Sequence, residues 1–138
     1  MSKRYLLDTD IIIYWLKNKF PNIDRKINQV GEDSVFISAI TVAELYFGAY
    51  NSGRKKENIA LIDDLLDEIN IIAFDENIGK YFGAIKAELK SKGEIINDSD
   101  MFIAATAVSN HLILITNNEK HFRRIEELKI ENWTLPEP

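Results

Sequence analysis

Five carboxylates stand where the apolar runs of this chain break off. Asp8 and Asp10 interrupt YLLDTDIIIYWL, Glu44 lies in SAITVAELYFGAY, and Asp98 and Asp100 open NDSDMFIAATAV. Their donor atoms are all oxygen. Acids gathered in one place repel one another and raise one another's pKa. A hard divalent cation removes that penalty, and Mg²⁺ or Mn²⁺ prefers such oxygen-only sites. Zinc fits poorly, because the 138 residues contain no cysteine and only His111 and His121.

Each acid also has an ordinary structural role open to it. Asp10 is expected to be the N-cap of the helix that follows it, which leaves Asp8 as a turn residue or a ligand. Thr41-Val42-Ala43-Glu44 has the spacing of a capping box. Asp98 is a good N-cap, and Asp100 in the first turn suits the helix dipole. One acid beside an apolar run is common; Asp8, Glu44 and Asp100 at corresponding ends of successive β–α units are not. That conjunction points to a shared site, with Asp98 assisting, and with Thr9, Asn117 and Asn118 placed to orient its ligands. Lys120, His121, Arg123 and Arg124 follow the fourth apolar run closely and are candidates to hold phosphate groups. Arg54-Lys55-Lys56 reads as a solvated helix start. Trp15, Tyr46, Phe47 and Phe82 have core-like spacing and are expected to pack inside.

The elements that must position these residues follow from periodicity. Arg4 to Leu7, Val35 to Ser38, Ile71 to Phe74 and Leu112 to Ile115 are short continuous apolar runs, the mark of strands buried on both faces. Asn132 to Leu135 is expected as a last edge strand. Between them lie segments with helical spacing: 10–18, a stretch through Ile23, Ile27 and Val30 closed by Gly31, then 41–50, 54–69, 75–92 closed by Gly93, 98–110 and 119–128. Strands alternating with helices imply a parallel sheet covered on both sides. The expected fold is α/β, a three-layer α/β/α sandwich with a mainly parallel central sheet, in one domain over residues 1–138. Ligands of such sheets bind beyond the carboxyl ends of the strands, the rim to which all these acids map.

With 46% hydrophobic residues the chain can bury a sizeable core. No run approaches the ~20 apolar residues of a membrane-spanning helix, and no signal peptide fits before Asp8. A soluble, cytoplasmic protein is expected. The net charge of −5 argues against a non-specific nucleic-acid binder, which would be basic. If nucleic acid is the partner, affinity has to come from local patches, bound metal or a second protein.

LLDTDIIIYWL, SAITVAELYFGAY, NDSDMFIAATAV and LILITNNEKHF followed by ENW occur in one order from Tyr5 to Trp133. Together they resemble the PIN-domain ribonucleases, and more narrowly the VapC-type toxins of toxin–antitoxin pairs. The resemblance implies a PIN fold and Mg²⁺- or Mn²⁺-dependent hydrolysis of RNA, with tRNA the favoured substrate and 5′-phosphate and 3′-hydroxyl ends. It places the family's acids on Asp8, Glu44 and Asp100, with Asp98 at a position often acidic. A further acid commonly follows the fourth strand; here the matching stretch carries Asn118 and His121, so one ion and two remain alternatives. The resemblance also implies a small antitoxin and a homodimer.

Two rival readings remain. Asp8-Thr9-Asp10 mimics the D-x-D of haloacid-dehalogenase-like phosphatases, with Asp8 as nucleophile and Asp10 as acid/base, although Ile11 stands where a glycine is expected. The other is a non-catalytic module that binds partners, either a degenerate PIN domain or receiver-like; a receiver would use Asp75, after the third strand, as phosphoacceptor.

Overall fold

The computed structural model describes residues 2–136. Its strands are β1 (Tyr5–Leu7), β2 (Val35–Ser38), β3 (Asn70–Ile72), β4 (Ile113–Ile115) and β5 (Ile130–Glu131). Helices α1 (Thr9–Leu16) and α2 (Pro21–Val30) join β1 to β2, with a 3₁₀ turn at Glu32–Ser34. Helices α3 (Ala39–Tyr50) and α4 (Lys55–Leu66) join β2 to β3, α5 (Glu76–Lys92) and α6 (Asp98–Ser109) join β3 to β4, and α7 (Glu119–Phe122) leads to β5. The sheet order is β3-β2-β1-β4-β5 and every pairing is parallel. The α/β/α sandwich expected from the alternation is the fold observed.

β1 lies at the centre and is buried on both faces. Leu6 enters a core built with α5 and α6, among them Ile78, Ile85, Met101 and Ile103. Tyr5 and Leu7 enter the opposite core, with Ile11, Ile12, Ile23 and Leu45 from α1 to α3. Successive side chains of a strand point to opposite faces, so three apolar residues serve both layers. The chain builds outward from β1 to β2 and β3, then returns to lay β4 on the other side of β1. The order therefore reverses between β1 and β4, and a crevice opens at their carboxyl ends.

Several boundaries differ from expectation, most by one to three residues, as in α1, α3 and α4. The edge strand is Ile130–Glu131 rather than 132–135. Asn132 and Thr134 spend their side chains on Asn117 instead of extending the ladder, while Trp133 is buried against the Tyr5 ring. α7 stops at Phe122, not at 128; Ile125 and Leu128 bury themselves without further helix. β3 begins one residue early and ends at Ile72. Gly31 (φ 91°) and Gly93 (φ 68°) close α2 and α5 in left-handed conformations that only glycine adopts without cost.

Leu6 is wholly buried in the central strand. Leu6→Ala should lower unfolding stability by about 2–5 kcal/mol. This is checked by a urea titration in which the midpoint falls while the slope stays constant.

Candidate active site at the carboxyl rim of the sheet

Asp8 follows β1 directly, and its backbone N–H donates to the Ile115 carbonyl of β4 (2.9 Å), extending the sheet by one bond. Its extended backbone (φ −64°, ψ 155°) makes it the N-cap of α1. Oδ1 accepts from the Thr9 N–H at 2.8 Å and Oδ2 from the Thr116 hydroxyl at 2.8 Å. Only 5% of the residue is exposed. Burial pushes its carboxyl up from 3.8 to about 7, and the charges of Asp100 and Asp10 push the same way; the bonds from Thr116 and Thr9 oppose the rise.

The cap role expected for Asp10 therefore belongs to Asp8. Asp10 sits in the first turn, exposed, and its charge is felt by both Asp8 and Asp100. It is part of the acidic cluster.

Glu44 is also released from its expected task. Ser38, the last residue of β2, caps α3 by accepting from the Thr41 N–H at 3.0 Å, so the Thr41–Glu44 capping box does not form. The buried Thr41 hydroxyl instead bonds those of Thr9 (3.0 Å) and Ser38 (3.2 Å). Thr9 donates to Glu44 Oε1 at 2.6 Å. Thr9 thus links the two acids, through its N–H to Asp8 and its hydroxyl to Glu44.

At the third element Asn97, not Asp98, is the N-cap. Its Oδ1 accepts from the Asp100 N–H at 2.8 Å and its Nδ2 donates to Asp100 Oδ2 at 3.1 Å. Asp100 is half-buried, and desolvation holds its carboxyl above the usual range. The bond from Asn97 and the nearby His121 oppose the rise, while Asp10 adds to it. Asp98 is exposed and pairs with Lys86 at 3.1 Å. Together with Thr9, Asp10, Glu44, Phe47 and Phe102 it lines an open cleft of about 640 Å³.

The loop after β4 divides its work. Thr116, fully buried, donates to Asp8 and accepts from the Asn118 N–H at 2.9 Å. Asn118 Nδ2 meets His121 Nδ1 at 2.9 Å. Asn117 orients no acid; its side chain accepts from Asn132 (3.0 Å) and Thr134 (3.3 Å). The basic group also separates. Arg123 pairs with Glu119 at 3.0 Å, and Arg124 bonds the carbonyls of Glu94 and Ile95, both at 3.3 Å. Lys120 remains exposed, and His121 faces Asp100.

The donor set fits a hard cation, since it is all oxygen with Asp8 and Asp100 held in an environment that penalises their charge. The side chains themselves stand apart. Among the described residues no three Asp, Glu or His side chains form a group that could hold a metal ion. Glu44 is turned to Thr9 and Asp100 to Asn97. Thr116, Ser38, Thr41 and Asn97 do not stand out in the sequence as site residues. Their common signal is a hydroxyl or amide at the carboxyl end of a strand, just ahead of a helix or, for Thr41, in a helix's first turn.

A parallel sheet with carboxylates around one rim and no cysteine defines a class of oxygen-ligand α/β domains, and comparison narrows it. The profile of the PIN domain matches residues 5–128, and the chain belongs to this family. Ribonuclease VapC2 of Haemophilus influenzae is 42% identical over 130 residues, covering 94% of this chain and 98% of that protein. The tRNA(fMet)-specific endonuclease VapC of Shigella flexneri is 33% identical over 131 residues, covering 95% and 98%. Among solved structures, DNA-bound VapBC from Salmonella typhimurium superposes with a TM-score of 0.90 at 33% identity, covering 95% of this chain and 98% of that one.

Because the Asp8 carboxyl is raised by burial, its ionisation opposes folding. In metal-free protein the cost is absent below about pH 4, where Asp8 is protonated both folded and unfolded. It grows as pH rises and is complete above about pH 7. Asp8→Asn keeps a capping side chain without that charge. Urea titrations should find the variant more stable than wild type at about pH 8, by at most about 4 kcal/mol, with the advantage gone at about pH 4. An advantage equal at both pH values contradicts the assignment.

Proposed function

We propose that this chain is a divalent-cation-dependent endoribonuclease, a single nuclease domain acting as the toxin of a toxin–antitoxin pair. The observation that carries the reading is the buried Asp8 carboxyl, held up to about 7 by burial despite two hydrogen bonds, with the charges of Asp100 and Asp10 adding to the rise. Asp8, Glu44 and Asp100 would hold Mg²⁺ or Mn²⁺ once Glu44 and Asp100 turn from Thr9 and Asn97 towards Asp8, with Asp98 at the margin beside Lys86. Bound there, a divalent cation supplies an acidified water and positive charge against the scissile phosphodiester. The chain's own residues do the rest. Thr116 and the Thr9 N–H orient Asp8, the Thr9 hydroxyl orients Glu44, and Asn97 orients Asp100. His121, held by Asn118 and close enough to Asp100 to oppose the rise of its carboxyl, is the group proposed to meet the incoming phosphate. Lys120 is exposed nearby, while Arg123 and Arg124 serve the fold.

The Haemophilus and Shigella relatives support RNA, and specifically tRNA, as substrate. The VapBC complexes support an antitoxin as partner; a second copy of the chain is part of the proposal. Among the described residues no helix is long and apolar enough to cross a membrane, and the cytoplasm, where tRNA resides, is the proposed location.

The phosphatase alternative asks Asp8 to attack as a nucleophile, yet both its oxygens are engaged and the residue is buried. The receiver alternative asks the same of Asp75, whose carboxylate caps α5 by accepting from the Ile78 N–H at 2.9 Å.

Incubation of total tRNA with Mg²⁺ should give cleavage by wild type and a loss of at least about 100-fold for Asp8→Asn. Mg²⁺ should raise the melting temperature of wild type and leave that of Asp8→Asn unmoved. Equal cleavage by both proteins, or no Mg²⁺-induced shift in wild type, contradicts the proposal.

A further inference from the structure

Phe47, whose spacing suggests a core residue, is 70% exposed. It lies three residues after Glu44 on α3, so the two share a helix face and line the same cleft. On α6, Phe102 lines that cleft as well, but its ring is occupied. It stacks on Phe82, with centroids 4.0 Å apart and planes at 12°, and takes the Phe74 ring at 5.2 Å. Phe47 makes no ring contact among the described residues. The cleft also carries Asp10, Glu44 and Asp98; among the described residues no lysine or arginine lines it, and the one cation at its edge, Lys86, is paired with Asp98.

We propose that Phe47 is a stacking platform for an unpaired RNA base adjoining the scissile phosphate. This rests on the endoribonuclease reading and names the part of the substrate this cleft selects. In a chain of net charge −5, a cleft without cations gains little from phosphate attraction, whereas stacking on an aromatic face is independent of charge. A base inside a duplex has both faces covered, so only a splayed base from a loop or a single strand can lie on Phe47. An open cleft in which an exposed aromatic ring stands one helical turn from an acid of the proposed cation site suits a nucleotide, which is flat at one end and anionic at the other.

The test uses the full chain and RNA stem-loops carrying 2-aminopurine at successive loop positions, mixed in Mg²⁺ and read before cleavage. Wild type should quench the fluorophore at one loop position and leave a fully paired duplex unquenched. Phe47→Ala and Phe47→Leu should lose the quench and bind about 10- to 100-fold more weakly, while Phe47→Tyr restores both. Binding should weaken only slightly between low and high salt. Because Phe47 is exposed, all three variants should melt with wild type, which separates binding from folding. Phe47→Leu matching wild type in quench and affinity overturns the proposal, as does equal quenching of the duplex. A Phe47→Leu protein that keeps RNA but no longer holds a co-expressed antitoxin also overturns it, and assigns the face to a protein contact. If wild type cleaves tRNA in Mg²⁺ while Phe47→Leu cleaves with unchanged kcat/KM, stacking falls and the nuclease stands. If wild type cleaves no RNA, the nuclease reading itself falls.

Discussion

The site depends on a carboxylate placed where a carboxylate is expensive. Asp8 ends the central strand and caps the next helix, almost without exposure. Two hydrogen bonds and a helix N-terminus offset part of the desolvation cost, yet the carboxyl is still held up to about 7. A neutral residue would fold more easily there. The arrangement becomes intelligible when a cation completes it, since a divalent charge adds an attraction that outweighs the burial and carboxylate repulsion opposing ionisation.

The sheet order explains why this acid can meet the others. β4 lies beside β1 although more than a hundred residues separate them, and Thr116 at its end reaches Asp8 directly. β2 lies on the other side, and its final Ser38 starts the hydroxyl run through Thr41 and Thr9 to Glu44. A second network, Asn132 with Asn117 and Glu119, ties the C-terminal segment to the same loop. The loop's positions are thus held from two sides, by Asp8 and by the tail.

Much of this was legible in the sequence for a physical reason. Strands buried on both faces must be continuously apolar, so β1, β2 and β4 announced themselves, and the acids that end such runs could be assigned to one rim. The caps were harder. In Asp8-Thr9-Asp10 either acid has the chemistry of an N-cap, and the choice is made by where β1 lets go of its neighbours, a tertiary fact. Ser38 was hidden inside a strand and Asn97 beside a more conspicuous Asp98. Each misplaced cap wrongly tied an acid to the backbone; moving the caps to Asp8, Ser38 and Asn97 frees Asp10 and Glu44 to face the cleft. β5 was shifted because the apolarity of Trp133 marks burial, not pairing.

The central claim is that burial holds the Asp8 carboxyl up to about 7, so that below that pH a bound cation has to displace its proton. Titration calorimetry of Mg²⁺ binding in buffers of different ionisation enthalpy measures that displacement. The account predicts release of close to one proton per ion at about pH 6, falling towards zero at about pH 8.5, and none from Asp8→Asn. Mg²⁺ binding to wild type without proton release at about pH 6 would contradict it.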